Sequence, residues 1–179
     1  MIYLIRHCST TGQEPEAVLT EAGEQQAEEL AAFLKPFGIE RIVSSPYRRA
    51  VQSIEPFAAQ TDISLETDER LRERTLSAEP FDDWQEIVRR TFDEPDFYLP
   101  GGESSREATA RAAEAFQDAL EAGKSTALVS HGNLSALLLK HLGLPFGMEE
   151  QTRLTNPDVF RIQPTENGYE ITRLWQEQR

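Results

Sequence analysis

The chain's three histidines differ in their surroundings, and two of them stand in company suited to an anion. A histidine whose free pKa lies at about 6.5 offers a neutral, nucleophilic nitrogen near neutral pH. His7 follows Arg6 directly, and His131 sits in Ser130-His131-Gly132 just before a helical stretch, where the first N–H groups of a helix favour negative charge. A third polar group, Ser44-Ser45, leads to Arg49. Arginine stays charged and presents a planar fork of donors that matches phosphate oxygens. Binding and transfer of a phosphoryl group is the chemistry that these residue types serve. His141, inside an apolar helical stretch with no local polar partners, reads as a structural or surface residue.

Each of these groups needs an element to place it. Ile2 to Ile5 is a short β-branched and aromatic run that predicts a buried strand, followed by a polar loop from Arg6 to Gln13. Thr20 then caps a helix whose face is Ala27, Leu30, Ala31 and Leu34, with Glu21 and Glu24 in its first turn and Pro36 and Gly38 at its exit. Ile42-Val43 predicts a second strand, after which Ser45 caps and Pro46 opens a helix with Ala50, Val51, Ile54 and Phe57 inward. Ile63 to Thr67 is a weaker strand. Phe81, Trp84, Ile87 and Val88 form a short helical stripe in a lid-like segment at about 78–99. Pro100-Gly101-Gly102 is a turn, and Ser104 or Ser105 caps a long alanine-rich helix that ends at Gly123. Thr126 to Val129 predicts a buried strand, Leu134 to Leu142 a helix, and 159–162 with 169–172 a terminal hairpin across Glu166-Asn167-Gly168.

This alternation implies an α/β protein: one domain over 1–179, a three-layer sandwich with a mainly parallel central sheet flanked by helices and an antiparallel edge from the hairpin. Sheets of this kind place ligands at the carboxyl ends of their strands. Three of those ends carry the candidate residues.

The rest of the composition narrows the classes. Lys and Arg number 18 against 31 Asp and Glu, a formal charge of −13 that repels nucleic acid and anionic lipid. The single cysteine forms no internal disulfide, and no cysteine–histidine spacing resembles a zinc site. A cytoplasmic protein without metal or cofactor, with neither nucleic acid nor membrane as partner, is the expectation. Oligomeric state stays open.

Five segments taken in order, Arg6-His7, Ser44 to Ala50, Leu71-Arg72-Glu73, Pro100 to Ser104 and Ser130-His131-Gly132, resemble the histidine phosphatase superfamily, the group related to cofactor-dependent phosphoglycerate mutases. Leu19 to Gly23 is similar to the family's stretch after the first loop, so the likeness covers almost the whole chain. The resemblance implies a phosphoglycerate mutase-like fold and a metal-independent phosphomonoesterase acting on small phosphorylated metabolites. His7 would be the nucleophile that becomes a phosphohistidine, His131 a donor beside it, and Glu73 the acid that protonates the leaving alkoxide. Arg6 and Arg49 would clamp the phosphoryl oxygens, with Gln13 and Thr10 as further substrate contacts. Two alternatives remain: phosphoryl transfer of the mutase type, and a phospho-ligand binding module without turnover. The negative total charge implies that small substrates fare better than ones carrying extra negative charge beyond the pocket.

The sequence also departs from the family's pattern. Cys8 stands where a glycine is usual, either as a small soft residue in the turn or as an oxidisable thiol. Gln13 replaces an asparagine, and the residues after Glu73 differ, which leaves Glu103 as a fallback carboxylate. Arg49 is preferred to Arg48, which lies at a different helical azimuth and reads as a solvated charge. Phe81, Trp84 and Phe92 read as a covering core; lining an entrance instead, they would favour an apolar or ring-bearing leaving group.

Overall fold

The apolar N-terminal run becomes β1 (Ile2–Arg6), buried because it is paired on both sides. A computed structural model describes residues 1–175, so the last four positions of the expected 1–179 domain lie outside the described residues. β1 runs parallel to β4 (Thr126–Ser130) and antiparallel to β5 (Asp158–Thr165). With β2 (Arg41–Ser44), β3 (Leu65–Thr67) and β6 (Gly168–Arg173) the sheet has six strands in the order β3-β2-β4-β1-β5-β6. β1 to β4 are mutually parallel, and the β5–β6 hairpin supplies the antiparallel edge.

The strand period of two sorts the core into layers. Ile2 and Leu4 join Leu128 and Phe160 on the face covered by α4 (Ser105–Glu121) and α5 (Gly132–His141), whereas Tyr3 and Ile5 join Ile42 and Val129 on the face covered by α1 (Glu21–Leu34) and α2 (Arg48–Thr61). The expected sandwich is therefore present. α3 (Trp84–Asp93) lies within residues 78–99, and a short α6 (Met148–Thr152), absent from the sequence reading, follows α5. Among the described residues no helix is long and apolar enough to cross a membrane.

The caps explain where the helices start. Thr20 Oγ1 accepts from the Gly23 amide at 3.0 Å, and Ser104 with Glu107 forms a reciprocal capping box on α4. α2 differs from expectation: it begins at Arg48, because Ser45 Oγ accepts from the Tyr47 amide (3.2 Å) in a tight turn instead of capping a helix opened by Pro46. α5 begins at Gly132, two residues earlier than the apolar pattern indicated, which puts His131 at its N-cap. Gly23 is required by proximity, since a Cβ there would lie 2.0 Å from the Ser9 carbonyl oxygen. The first turn of α1 thus rests directly on the loop that follows His7.

Candidate active site

His7 lies one residue past β1 and is buried. Its Nδ1 is 2.7 Å from the Cys8 carbonyl oxygen. A carbonyl only accepts, so Nδ1 carries the ring proton and Nε2 keeps its lone pair. Arg49 Nε donates to that Nε2 at 3.2 Å. Burial is the main reason the His7 pKa falls to about 3; the Cys8 carbonyl pulls it upward, and the Arg49 and Arg6 charges push it further down. The ring is therefore neutral, with its free nitrogen beside a guanidinium.

Arg49, in the first turn of α2, is completely buried. Its Nη1 donates to the Gln13 and Glu14 carbonyls (3.0 and 2.9 Å), which leaves Nη2 without a partner among the described residues. Arg6, at the end of β1, donates through Nη1 to the Leu154 carbonyl at 2.8 Å, and its buried Nε has no partner among the described residues. Gly132 makes room for it, since a Cβ there would meet the Arg6 guanidinium at 3.2 Å.

His131 packs edge-on against His7, with ring centroids 5.2 Å apart. Its Nε2 is 2.7 Å from Ser45 Oγ. Ser45 Oγ accepts from the Tyr47 amide and keeps both its hydrogen and a second lone pair, so it pairs with Nε2 of either His131 tautomer, and Nδ1 is buried without a partner among the described residues. Burial, then the His7 and Arg49 neighbours, hold His131 well below the ordinary histidine pKa. Buried polar groups are normally paired. Here three side chains around His7 (Arg6, Arg49 and His131) each keep one buried nitrogen unpaired, which is the complement a phosphoryl group's oxygens would fill.

Glu73 caps α5. Its Oε1 accepts from the Arg74 and Leu134 amides (2.8 and 3.0 Å) and its Oε2 from the Asn133 amide (3.1 Å). Oε2, with one N–H partner against two on Oε1, is the oxygen with room for a proton. Ser130 Oγ donates to the Leu71 carbonyl at 2.9 Å and so ties the end of β4 to the segment before Glu73.

A pocket of about 880 Å³, within the range of small-molecule sites, opens beside the floor formed by Arg6, His7, Arg49 and His131; of these only Arg6 reaches its lining, while His7, Arg49 and His131 are buried and not part of it. Arg6, Gln13, Tyr47, Glu73 and Gly132 border it; Leu76, Phe81, Trp84 and Val88 form one wall, and Asn133, Gln151 and Asn156 the other. The covering-core reading thus holds for Phe92, which is buried, and fails for Phe81 and Trp84, which line the entrance; Trp84 is 52% exposed. The helix carrying Trp84 docks through Val88 and Phe92, whereas Trp84 is its first residue and Phe81 lies before it.

Other expectations are corrected as well. Thr10 is not at the pocket, because its hydroxyl donates to the Val18 carbonyl (3.0 Å) and holds its own loop together. Glu103 is also absent from the lining; it is paired with Arg111 and, at 3.4 Å, with Arg72. Cys8 is fully buried in the apolar cluster under α1, and burial pushes its thiol up to about 12, so it packs and stays protonated. Arg48 is exposed, 3.9 Å from Glu55, as a solvated charge should be. His141, at the end of α5, is exposed. Sequence reasoning missed four contributors. Tyr47 packs its ring on His131 and Arg49, Asn156 Nδ2 donates to the His7 carbonyl at 2.7 Å, and Asn133 and Gln151 face each other across the wall. Only Tyr47, inside the segment Ser44 to Ala50, left any signal.

The site geometry and the sheet together define a phosphate-handling α/β protein. The chain belongs to the histidine phosphatase superfamily (branch 1), which matches over residues 2–177. A probable phosphoglycerate mutase, GpmB, of Enterobacter sp. (strain 638) is 32% identical over 186 residues, covering 94% of this chain and 86% of its own. Mycobacterial glucosyl-3-phosphoglycerate phosphatase in complex with inorganic phosphate superposes with a TM-score of 0.74 at 23% identity, over 97% of this chain and 95% of that one. A phosphoserine phosphatase mutant from Entamoeba histolytica superposes with a TM-score of 0.75 at 21% identity, over 96% and 94%. At those identities the two structures share the fold.

Proposed function

We propose that the protein is a metal-independent phosphomonoesterase that works through a phosphohistidine on His7 Nε2. The observation carrying this is the ring's geometry: Nδ1–H held on the Cys8 carbonyl, and a free Nε2 lone pair beside Arg49. In the first step Nε2 attacks phosphorus, the P–O bond to the alcohol breaks, and Glu73 Oε2 delivers a proton to the leaving oxygen. The Arg49 N–H that rests on Nε2 shifts to a phosphoryl oxygen as phosphorus arrives. Positive charge on the phosphorylated ring is stabilised by the Nδ1–H to carbonyl bond. In the second step water attacks phosphorus, Glu73 takes its proton, and the P–N bond breaks to return neutral His7 and inorganic phosphate. Arg6, Arg49 and His131 hold the equatorial oxygens through both steps. An arginine at about 4 Å from a phosphate charge contributes about 4 kcal/mol at an effective dielectric of 20.

Membership of the family supports this reading, and two structural neighbours are themselves named as phosphatases. The relative named as a probable mutase supports the second reading, phosphoryl transfer between positions of a phosphoglycerate. The half-exposed Trp84 at the entrance favours hydrolysis, since a mutase must keep water from its phosphohistidine. We assign the activity to the cytoplasm, where the lone thiol of Cys8 suits a reducing milieu.

Phosphate release from para-nitrophenyl phosphate in excess EDTA tests the proposal. Turnover should survive chelation and fall at least roughly 1,000-fold in His7→Ala. Near-normal rates in that variant would remove His7 as nucleophile. Positional exchange without net release would establish the mutase, and vanadate binding without turnover the binding module.

A further inference from the structure

We infer that, given the phosphomonoesterase reading, the site selects esters of neutral amphipathic alcohols and rejects alcohols carrying a second anionic group. The two walls of the pocket differ in kind. On one side Leu76, Phe81 and Trp84 present apolar and aromatic surface. On the other, Asn133 Nδ2 donates to Gln151 Oε1 at 2.6 Å, while Asn133 Oδ1 is buried with no donor among the described residues. A buried acceptor without a donor calls for an O–H or N–H from the ligand and repels an oxyanion.

The charges point the same way. Among the described residues the cations bordering the pocket are Arg6 and Arg74. Arg6 belongs to the phosphoryl clamp. Arg74 is 5% exposed and already committed: Nε and Nη2 donate to the Glu103 carbonyl (3.1 and 3.0 Å) and Nη1 to Ser105 Oγ (2.9 Å). A carboxylate on the leaving group would therefore meet Glu73 and Asn133 Oδ1 with no free cation to compensate, at a site partly closed to water. A hydroxyl-bearing carbon skeleton meets the opposite situation, with a C–H face for Trp84 and a donor for Asn133.

The closing experiment compares kcat/KM for racemic glycerol 3-phosphate and racemic 3-phosphoglycerate, which differ by one hydroxymethyl group replaced by a carboxylate, with para-nitrophenyl phosphate as reference. The glycerol ester should be favoured about tenfold or more, the scale expected for an unpaired charge. Gln151→Lys, which adds a cation to the polar wall, should shrink that ratio several-fold. Trp84→Ala should raise KM for both esters, and several-fold more for 2-naphthyl phosphate than for glycerol 3-phosphate, because the aromatic leaving group buries more surface on that ring. Hydrolysis of 3-phosphoglycerate as fast as the glycerol ester, alongside normal turnover of the reference, would overturn the inference and leave the phosphatase standing. Absence of turnover with all of these esters would overturn the phosphatase itself, and the inference with it.

Discussion

The floor and the walls of the pocket are built on different terms. On the floor, Arg6, His7, Arg49 and His131 come from strand ends or first helical turns and are largely buried, and each has at least one side-chain nitrogen fixed by a carbonyl, hydroxyl or imidazole. The walls come from α3 and the loop before it, the first turn of α5, the five-residue α6 and the segment before β5, and include side chains such as Trp84 that are half in solvent. Orientation to a fraction of an ångström is available only where the scaffold is rigid, so the floor suits bond making. Walls with few tethers suit discrimination, because their side chains change without disturbing that orientation.

This contrast has consequences that can be measured. Floor variants should slow every ester alike, whereas wall variants should alter ratios between esters. Arg49→Ala should have the largest effect after loss of His7, lowering kcat/KM and vanadate affinity about 100-fold for all substrates. It also strands the Gln13 and Glu14 carbonyls, so thermal unfolding belongs beside the kinetics; undiminished vanadate affinity would remove Arg49 from the clamp. Glu73→Gln should come next, slowing alkyl phosphates about 100-fold and para-nitrophenyl phosphate far less, because nitrophenolate leaves without a proton. Equal losses on both would show that Glu73 positions α5 and donates nothing.

A separate effect, on stability and not on rate, concerns pH. His7 titrates at about 3 in the folded protein, against about 6.5 when unfolded, so between those values the unfolded chain binds the extra proton. The stability contributed by a neutral His7 is complete above pH 6.5 and is lost as pH falls toward 3. Urea midpoints should decline over that range, and the decline should be shallower in His7→Gln. A midpoint independent of pH would contradict the burial of the two rings.

The floor was readable in the chain because its residues sit beside the elements that place them. Arg6-His7 and Ser130-His131 directly follow apolar strands, and Arg49 falls on the turn of α2 that faces them. The walls were not readable. Asn133 and Gln151 meet only when α6 folds back over α5, and Asn156 reaches the His7 carbonyl from the segment before β5; none of these approaches leaves a periodic pattern. Thr10 and Glu103 were misplaced for a related reason, since a polar residue near a motif serves a loop carbonyl or an arginine as readily as a substrate. Phe81 and Trp84 continue the helical stripe in sequence, but the helix docks through its later residues.

Sheet order carries one more consequence. The strands that end in Ser44, Ser130 and Arg6 are β2, β4 and β1, adjacent to one another and inside the rims formed by β3 and β6. Transient opening of a fold starts at its rims and reaches the central strands last. The amides of Val129 and Ser130 should be among the slowest in the molecule to trade hydrogen for deuterium, while those of β6 exchange early. The cluster around His7 and His131 then stays assembled through most of the molecule's breathing, and its loss coincides with global unfolding.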